Sequence, residues 1–304
     1  MTFISVIICS HNPRPDYLRR VLDALRAQTL PQDQWELIIV DNRSDEPLEG
    51  RFDISWHPHA RYVREDELGL TPARLRGIAE AKGHLLVFVD DDNVLAEEYL
   101  ATALSISEEY PFLAAWGAGL LEPEFETTPP VWSRPHWGHL AIRQVPTVRW
   151  SNGTSDWDAT PVGAGLCVRR QLAERYYANE RASRYRLGRA GRNFSGGEDL
   201  DMVYTASQLG LGWATFPTLK IKHLIPAERL SQDYLLRLTE GYAASNVLLA
   251  AKHQLPMPTI PPWWRILLKS VEIFVRSGRN NLAFFLARQK GISLGYRTLQ
   301  QLRD

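Results

Sequence analysis

The chain has 304 residues, of which 44% are hydrophobic and 23% are charged, a composition typical of globular proteins. Its 35 basic and 35 acidic residues cancel, which argues against a nucleic-acid partner bound through overall positive charge. Two cysteines, Cys9 and Cys167, argue against a disulfide framework, and no signal peptide or membrane-spanning apolar run is found, so we expect a cytoplasmic protein.

The first hundred residues alternate between strand and helix patterns. Four strands are predicted from compact runs, the third of them short: 3–9, 35–40, 61–63 and 84–89. Helices are predicted over 16–29, where apolar residues form a stripe, and over 71–81, which opens on Thr71 and Pro72. Alternation of this kind predicts an α/β fold with a mostly parallel central sheet flanked by helices.

The remainder of the chain is less regular. Residues 123–158 hold five prolines and four tryptophans, which predicts loop-rich structure beside the sheet and not a linker. Further elements are predicted in chain order: strand 159–169, helix 198–208, strand 215–222, helix 231–253, and two apolar helical stretches, 263–275 and 282–289.

Polar clusters follow three of the predicted strands directly. They are Ser10-His11-Asn12, the segment Asp41 to Asp45, and Asp90-Asp91-Asp92-Asn93. Ligands of parallel sheets bind beyond the carboxyl ends of the strands, and the three clusters are expected to meet at that edge.

The acidic run is the most informative of these clusters. A turn after the preceding strand would aim Asp90 and Asp92 into one space, and adjacent carboxylates repel unless a cation or donors compensate. Such oxygen ligands suit Mg²⁺ or Mn²⁺, which commonly take further ligands from substrate phosphates. The alternative is a solvated acidic turn that caps the next helix, and the buried strand directly before the run favours a site.

The N-terminal part of the chain resembles glycosyltransferase family 2, whose nucleotide-sugar-binding fold is called GT-A. Four pieces carry the resemblance by their order and spacing: Ser5 to Asn12, Glu36 to Asn42, Gly69 to Gly77 with Ala73-Arg74, and the aspartate run. The resemblance covers about residues 3–225. It implies a catalytic domain over 1–225, with a nucleotide-binding half (1–95) and an acceptor-binding half (115–225), and a helical C-terminal extension over 226–304.

The resemblance implies a nucleotide pocket at the first two clusters. Ser10, His11 and Asn12 would line it, and Asp41 would accept a hydrogen bond from the base, as the first aspartate of the family does for uracil. Asp41 could instead cap a turn.

Two arginines are implied to contact the nucleotide or its phosphates, Arg64 and Arg74. Arg74 could equally be a surface residue of its helix. The chain departs from the family at Leu75, where an asparagine is usual, and contacts made by that asparagine are not expected here.

A metal site is implied at the aspartate run. Asp92 would bind Mn²⁺ or Mg²⁺ directly, and Asp90 would contact the ribose or metal-bound water. Asp91 is assigned to the donor site with them. The alternative is that Asp91 only shapes the turn. His223 would be a further metal ligand, and a neutral imidazole suits Mn²⁺ better than Mg²⁺.

The segment Gly196-Gly197-Glu198-Asp199 is similar to the Glu-Asp motif of the family, whose aspartate deprotonates the acceptor hydroxyl. Asp199 is therefore the predicted general base, and Glu198 is predicted to orient the acceptor. The alternative is that both carboxylates simply stabilise the start of a helix.

Tryptophans of the 123–158 segment have two interpretations. They are either core residues of an irregular segment or aromatic platforms that stack on the acceptor sugar. Trp132 and Trp157 are the two that we assign to the acceptor site.

The resemblance implies an inverting transfer of a sugar from a nucleoside-diphosphate sugar, with a UDP-sugar as first choice, to a saccharide or glycolipid hydroxyl in polysaccharide biosynthesis. A catalytically silent sugar-nucleotide-binding module is the alternative. A sugar nucleotidyltransferase is disfavoured, because no glycine-rich basic loop follows the first strand.

Residues 256–304 carry eight basic and two acidic residues. Trp263, Trp264 and the apolar residues after them, interrupted by Arg265 and Lys269, resemble an interfacial helix on an anionic membrane, which would lie at the inner face of the plasma membrane. Packing on the catalytic domain, or on another subunit of a homo-oligomer, is equally compatible with the pattern.

Overall fold

The computed structural model describes residues 3–183, 187–188 and 196–302. Within these ranges the strands are β1 Ile4–Ser10, β2 Trp35–Asn42, β3 Ala60–Glu65, β4 Leu85–Val89, β5 Asn93–Leu95, β6 Leu113–Phe125, β7 Arg143–Gln144, β8 Arg149–Ser151, β9 Leu166–Arg169 and β10 Gly212–Ile225. The α-helices are α1 Pro15–Arg26, α2 Leu70–Glu80, α3 Tyr99–Glu109, α4 Arg170–Ala182, α5 Glu198–Tyr204, α6 Gln232–Lys252 and α7 Trp263–Gln301. Short 3-10 helices span Gln32–Gln34, Val131–Leu140, Thr205–Leu209 and Ala227–Leu230.

The strands form one sheet in the order β3-β2-β1-β4-β9-β6-β10-β5, with β7 paired to β6 and β8 paired to β10. β1 is parallel to β2 and β4, β2 is parallel to β3, and β6 is parallel to β10. β9 is antiparallel to both β4 and β6 and thereby joins two parallel halves. The predicted α/β fold with a mostly parallel central sheet is confirmed.

Both faces of the central strands are buried. Val6 and Ile8 of β1 pack on one face with Leu18 of α1, whereas Ile7 packs on the other face with residues of α2, α4 and α6. A strand buried on both faces needs apolar residues at consecutive positions. This explains why β1, β2 and β4 are recognisable in the sequence as unbroken apolar runs.

The helices α3 and α4 and the strand β6 are absent from the sequence prediction, as are the short strands β5, β7 and β8. β10 lies very close to β6, and small residues, glycine and alanine, are therefore needed in β6. These residues have a weak strand propensity, so the sequence does not indicate the strand. A Cβ on Gly119 would lie 2.9 Å from the backbone of Phe216. The predicted strand over 159–169 is a strand only from Leu166, since Gly165 adopts a φ of 68° and turns the chain.

The C-terminal helices α6 and α7 pack closely where α7 carries glycine. A Cβ on Gly291 would collide with the carbonyl oxygen of Glu240, and one on Gly295 would lie 2.6 Å from that of Ala244. The two predicted helical stretches of this region correspond to the two parts of α7, which is kinked at Gly278 with a φ of 78°. Within the described ranges, we find no helix with the length and apolar character needed to cross a membrane.

Candidate active site

A cavity of about 500 Å³ opens at the carboxyl ends of β1, β2 and β4. The turn after β4, the loop before β9, the start of α5 and one face of α6 enclose it. Most of the predicted site residues line this cavity: Ser10, His11, Arg74, Asp90, Asp91, Asp92, Trp157, Glu198, Asp199 and His223. The expectation that the polar clusters meet at one edge of the sheet therefore agrees with the structure.

Asp92 and His223 meet because β5 pairs with β10. His223 lies opposite Asn93 in that pairing, and the Leu224 amide donates to the Asp92 carbonyl oxygen at 2.9 Å. The Asn93 side-chain amide donates to Asp92 Oδ1 at 2.8 Å, and Asp92 Oδ2 lies 3.5 Å from His223 Nε2. A carboxylate oxygen and an imidazole nitrogen, both buried, are thus directed at one point.

This pair fits a divalent ion as two of its ligands. The donor set of one carboxylate and one imidazole suits Mn²⁺. Among the described residues we find no cluster of three or more histidine, cysteine, aspartate or glutamate side chains that could hold a metal. A bound ion would therefore need further ligands from a diphosphate and water, as is usual for ions of this type.

A protein cation contacts the same two atoms. Arg229 Nη1 lies 2.8 Å from Asp92 Oδ2 and 3.3 Å from His223 Nε2. It extends from the 3-10 helix Ala227–Leu230, which follows β10 directly. The guanidinium compensates the buried Asp92 charge, as an ion would.

The three aspartates of the run have different environments. Asp92 faces His223 and Arg229, whereas Asp91 Oδ2 accepts a hydrogen bond from Ser10 Oγ at 2.5 Å. Burial, and then the charge of Asp92, raise the pKa of Asp91 to about 7. Asp90 Oδ1 lies 3.9 Å from Arg74 Nη2.

Arg74 is a central buried cation of the site, at 2% exposure. Its guanidinium lies between Asp90 and Glu198, whose Oε1 is 3.5 Å from Nη1. Burial opposes its charge, but Glu198, Asp90 and Asp199 outweigh burial and hold its pKa above the ordinary arginine value. The alternative of a surface helix residue is therefore wrong for Arg74, and contact with phosphates stays a prediction.

Asp199 lies in the first turn of α5, after Gly197 at a φ of 92°. Its Oδ2 accepts a hydrogen bond from the Gly163 amide at 2.8 Å, and its Oδ1 accepts one from the Leu200 amide at 2.8 Å. A Cβ on Gly163 would lie 2.7 Å from Arg74 Nη2 and 3.3 Å from the Asp199 side chain, so any larger residue would displace the Arg74 guanidinium. The carboxylate is held in one orientation at the cavity wall.

Asp201 is fully buried on the other side of α5, in a charged cluster. It accepts from Lys252 Nζ at 2.6 Å and contacts His253 Nε2 at 2.7 Å, and Lys252 also pairs with the buried Glu180. Burial alone would lower the pKa of Lys252, but Asp201 and Glu180 outweigh it and raise that pKa. The cluster fastens α5, and with it Asp199, to α6.

Replacing Lys252 with Met leaves the Asp201 and Glu180 carboxylates buried without their shared cation. We expect a loss of between about 3 and 5 kcal/mol in the free energy of unfolding, measured by urea titration. The matched control is Lys290→Met, which removes an exposed cation paired with Glu240 and should cost between about 0 and 1 kcal/mol. Equal losses in the two variants would contradict the role given to this cluster.

The remaining residues predicted for the nucleotide form a group beside the cavity, linked to it through His11 and Asn42. Asp41 accepts from the amides of Ser44 and Leu48, and from Arg64 Nη1 at 2.9 Å. Burial would raise the pKa of Asp41, but these donors outweigh it and lower that pKa below its ordinary value. Asp41, Arg64 and Asn12 do not line the cavity itself. Both interpretations of Asp41, as the cap of a turn and as the residue that contacts the base, therefore stay predictions.

The tryptophans of the 123–158 segment divide between the two interpretations. Trp157 lines the cavity and is 55% exposed. Trp132 does not line it and packs against Phe284, with ring centroids 6.3 Å apart. Trp137 packs on Phe125. The packing interpretation therefore describes Trp132 better than the acceptor role does.

One wall of the cavity was not predicted from the sequence. It is a stripe on α6 at helical spacing: Tyr234, Leu238, Tyr242, Ser245 and Asn246. The signal was the spacing of three or four residues between Tyr234, Leu238, Tyr242 and Ser245, which places them on one face of the predicted helix. Because α6 belongs to the predicted C-terminal extension, that extension contributes to the cavity.

A sheet of this topology, with an acidic turn and a helix-borne carboxylate at one cavity, defines a protein of GT-A architecture. Residues 5–141 match the sequence model for glycosyl transferase family 2, so this segment of the chain is similar to that family. The match confirms the predicted resemblance for this segment.

Two curated relatives share part of the sequence. The chain is 27% identical over 108 residues to the glycosyltransferase AglE of Haloferax volcanii, which is 34% of the chain and 35% of that protein. It is 30% identical over 109 residues to the glycosyltransferase GlyA of Streptococcus pneumoniae, which is 35% of the chain and 15% of that protein. The chain thus spans about a third or less of the length of these relatives.

A solved structure shares the fold over almost the whole chain. The mannosyltransferase PcManGT from Pyrobaculum calidifontis, in complex with GDP-mannose and Mn²⁺, covers 99% of the chain with a TM-score of 0.56. The alignment spans 74% of that protein at 18% identity. The similarity includes the C-terminal helices.

Proposed function

We propose that the chain transfers a sugar from a nucleoside-diphosphate sugar to a hydroxyl of a saccharide or glycolipid. The observation that carries the proposal is that the Asp92–His223 pair and the oriented Asp199 carboxylate line one cavity. The match of residues 5–141 to the family model supports transfer chemistry. Inversion at the anomeric carbon and a UDP-sugar donor rest on the resemblance of the motifs.

Asp199 is the general base of this proposal. A sugar hydroxyl is a weak nucleophile, and a positioned carboxylate that accepts its proton assists attack on the anomeric carbon. The acceptor oxygen forms the new bond, and the bond to the diphosphate oxygen breaks with its electron pair leaving on the diphosphate. The two amides that orient Asp199 support this role, because they hold its oxygens at the cavity wall.

The departing diphosphate needs positive charge. Asp92 and His223 would hold Mn²⁺ or Mg²⁺, and a bound ion would neutralise developing charge on the leaving group. Arg229 contacts both residues and supplies a second cation at the same place. The presence of GDP-mannose and Mn²⁺ in the mannosyltransferase structure supports testing a GDP-sugar beside UDP-sugars.

The acceptor site is proposed on the side of the cavity away from the nucleotide group. Trp157 offers an exposed aromatic face, and Glu198 lines the same cavity. Tyr234 and Tyr242 of α6 add phenol rings. Aromatic faces next to carboxylates are well suited to bind a sugar ring.

We also propose a cytoplasmic protein of polysaccharide biosynthesis, peripheral to the inner face of the plasma membrane. The free thiols Cys9 and Cys167 support a reducing compartment. The apolar surface of the C-terminal helix supports a membrane contact, and a second copy of the chain is the competing partner for that surface.

A donor assay tests the proposal against its alternatives. The chain is incubated with a panel of UDP- and GDP-sugars with and without Mn²⁺, and release of nucleoside diphosphate and of free or transferred sugar is measured. Turnover of one donor that needs the ion is expected. Binding of a donor without any turnover would favour a silent module, and pyrophosphate release from a nucleoside triphosphate and a sugar phosphate would favour a nucleotidyltransferase.

A further inference from the structure

The first part of α7, residues 263–277, presents a large apolar surface to solvent; we call it the 263–277 half-helix. Seven large side chains on it are between 46% and 77% exposed: Trp263, Trp264, Leu267, Leu268, Val271, Phe274 and Val275. On a helix with 3.6 residues per turn, they cover about 140° of the circumference as one continuous face. Exposed apolar patches of this size mark interaction sites.

The charged residues of the half-helix lie together beside that face. Arg265, Lys269 and Arg276 are basic, and the single acid, Glu272, is paired with Lys269 at 2.9 Å and with Arg276 at 3.0 Å. The flank therefore keeps a net positive charge. Ile266 and Ile273, on the remaining side, are half-buried.

The second part of α7, residues 279–301, buries apolar residues against the rest of the protein. Phe284, Ile292 and Leu299 are buried, and the glycines at 291 and 295 pack on α6. Gly278 separates the two parts with a non-helical backbone. The packing interpretation of the C-terminal region therefore applies to the second part, and the half-helix is where a further partner would bind.

We propose that the 263–277 half-helix binds the surface of a bilayer containing anionic lipids. Its apolar face would enter the boundary between headgroups and acyl chains, and the basic flank would contact the headgroups. The charges favour this partner over a second copy of the chain, because an anionic surface complements the basic flank, whereas antiparallel pairing of two half-helices places both basic flanks on one side of the pair with no acidic partner for them. This inference rests on the peripheral location proposed above and names the surface and lipid that produce it, and it does not depend on the transfer reaction.

The test is flotation of the full chain with vesicles of phosphatidylcholine, alone or mixed with phosphatidylglycerol. We expect binding to be about tenfold or more stronger on the anionic vesicles. The double variant Leu268→Glu with Val271→Glu should weaken binding by more than about tenfold. The matched control is Leu286→Glu with Leu294→Glu, which adds the same charges to exposed positions of the second part and should change binding by less than about twofold.

Circular dichroism of each variant establishes that it is folded before binding is compared. Equal binding by the two double variants would overturn the proposal. A lipid-free dimer, measured by light scattering, that becomes monomeric in the Leu268→Glu with Val271→Glu variant would assign the half-helix to a second copy instead. Equal binding to neutral and anionic vesicles would overturn the role of the basic flank.

Discussion

Replacing Asp199 with Asn is expected to lower the turnover number by about 100- to 10,000-fold, while the affinity for the nucleoside diphosphate stays nearly unchanged. The Asn side chain has one oxygen and accepts only one of the two hydrogen bonds that Gly163 and Leu200 donate to the carboxylate, and it cannot take a proton from the acceptor. Steady-state transfer rates and calorimetric titration with the nucleotide measure the two quantities.

The control separates this role from the simple capping of a helix. Asp233 also lies in the first turn of a helix, α6, but it is exposed and pairs with Arg237. Asp233→Asn should leave the turnover number within about twofold of the parent, since it removes only a favourable interaction at a helix start. If Asp199→Asn behaves in the same way, Asp199 stabilises a helix and is not the base.

The second large effect is expected at the metal site. Asp92→Asn should weaken Mn²⁺ binding by at least about a hundredfold, because the direct carboxylate ligand loses its charge. Titration followed by electron paramagnetic resonance reports free Mn²⁺ and does not require activity. Transfer should fall in parallel and should not recover fully at high Mn²⁺.

Arg229→Met is expected to strengthen Mn²⁺ binding when no nucleotide is present, the opposite of Asp92→Asn. Arg229 contacts the two atoms that would bind the ion, so its removal takes away a competing cation and should tighten Mn²⁺ binding in the absence of nucleotide. Arg237→Met, which removes a half-exposed cation paired with Asp233, should leave Mn²⁺ binding unchanged. An unchanged Mn²⁺ affinity in Arg229→Met would contradict the competition between the two cations.

The sequence predicted the elements that are buried on both sides or have marked ends. The apolar runs of β1, β2 and β4 and the stripe of α1 are local patterns, and they lie within a few residues of the predicted ranges. β6 was missed because its small residues are required by the close approach of β10, which is separated from it by about a hundred residues of chain. Contacts of this kind leave no periodic signal at the positions concerned.

The site, like the fold, has parts that local motifs predicted and parts that depend on contacts between distant segments. The motifs named the residues of the cavity on the sheet side, since each motif follows its strand directly. The sequence could not reveal that Asp90, Asp91 and Asp92 face three different partners, because Arg74, Ser10 and His223 come from separate elements. It also could not reveal the α6 wall or the packing of Trp132 on α7.

The close contact between α6 and α7 has a consequence for the width of the cavity. One side of α6 lines the cavity, and the opposite side rests on Gly291 and Gly295 of α7. Any side chain at these two glycines would force α6 away from α7, and the cavity lies in that direction. The size of acceptor that fits could therefore change through substitutions at positions that never contact it, while the nucleotide side of the site stays as it is.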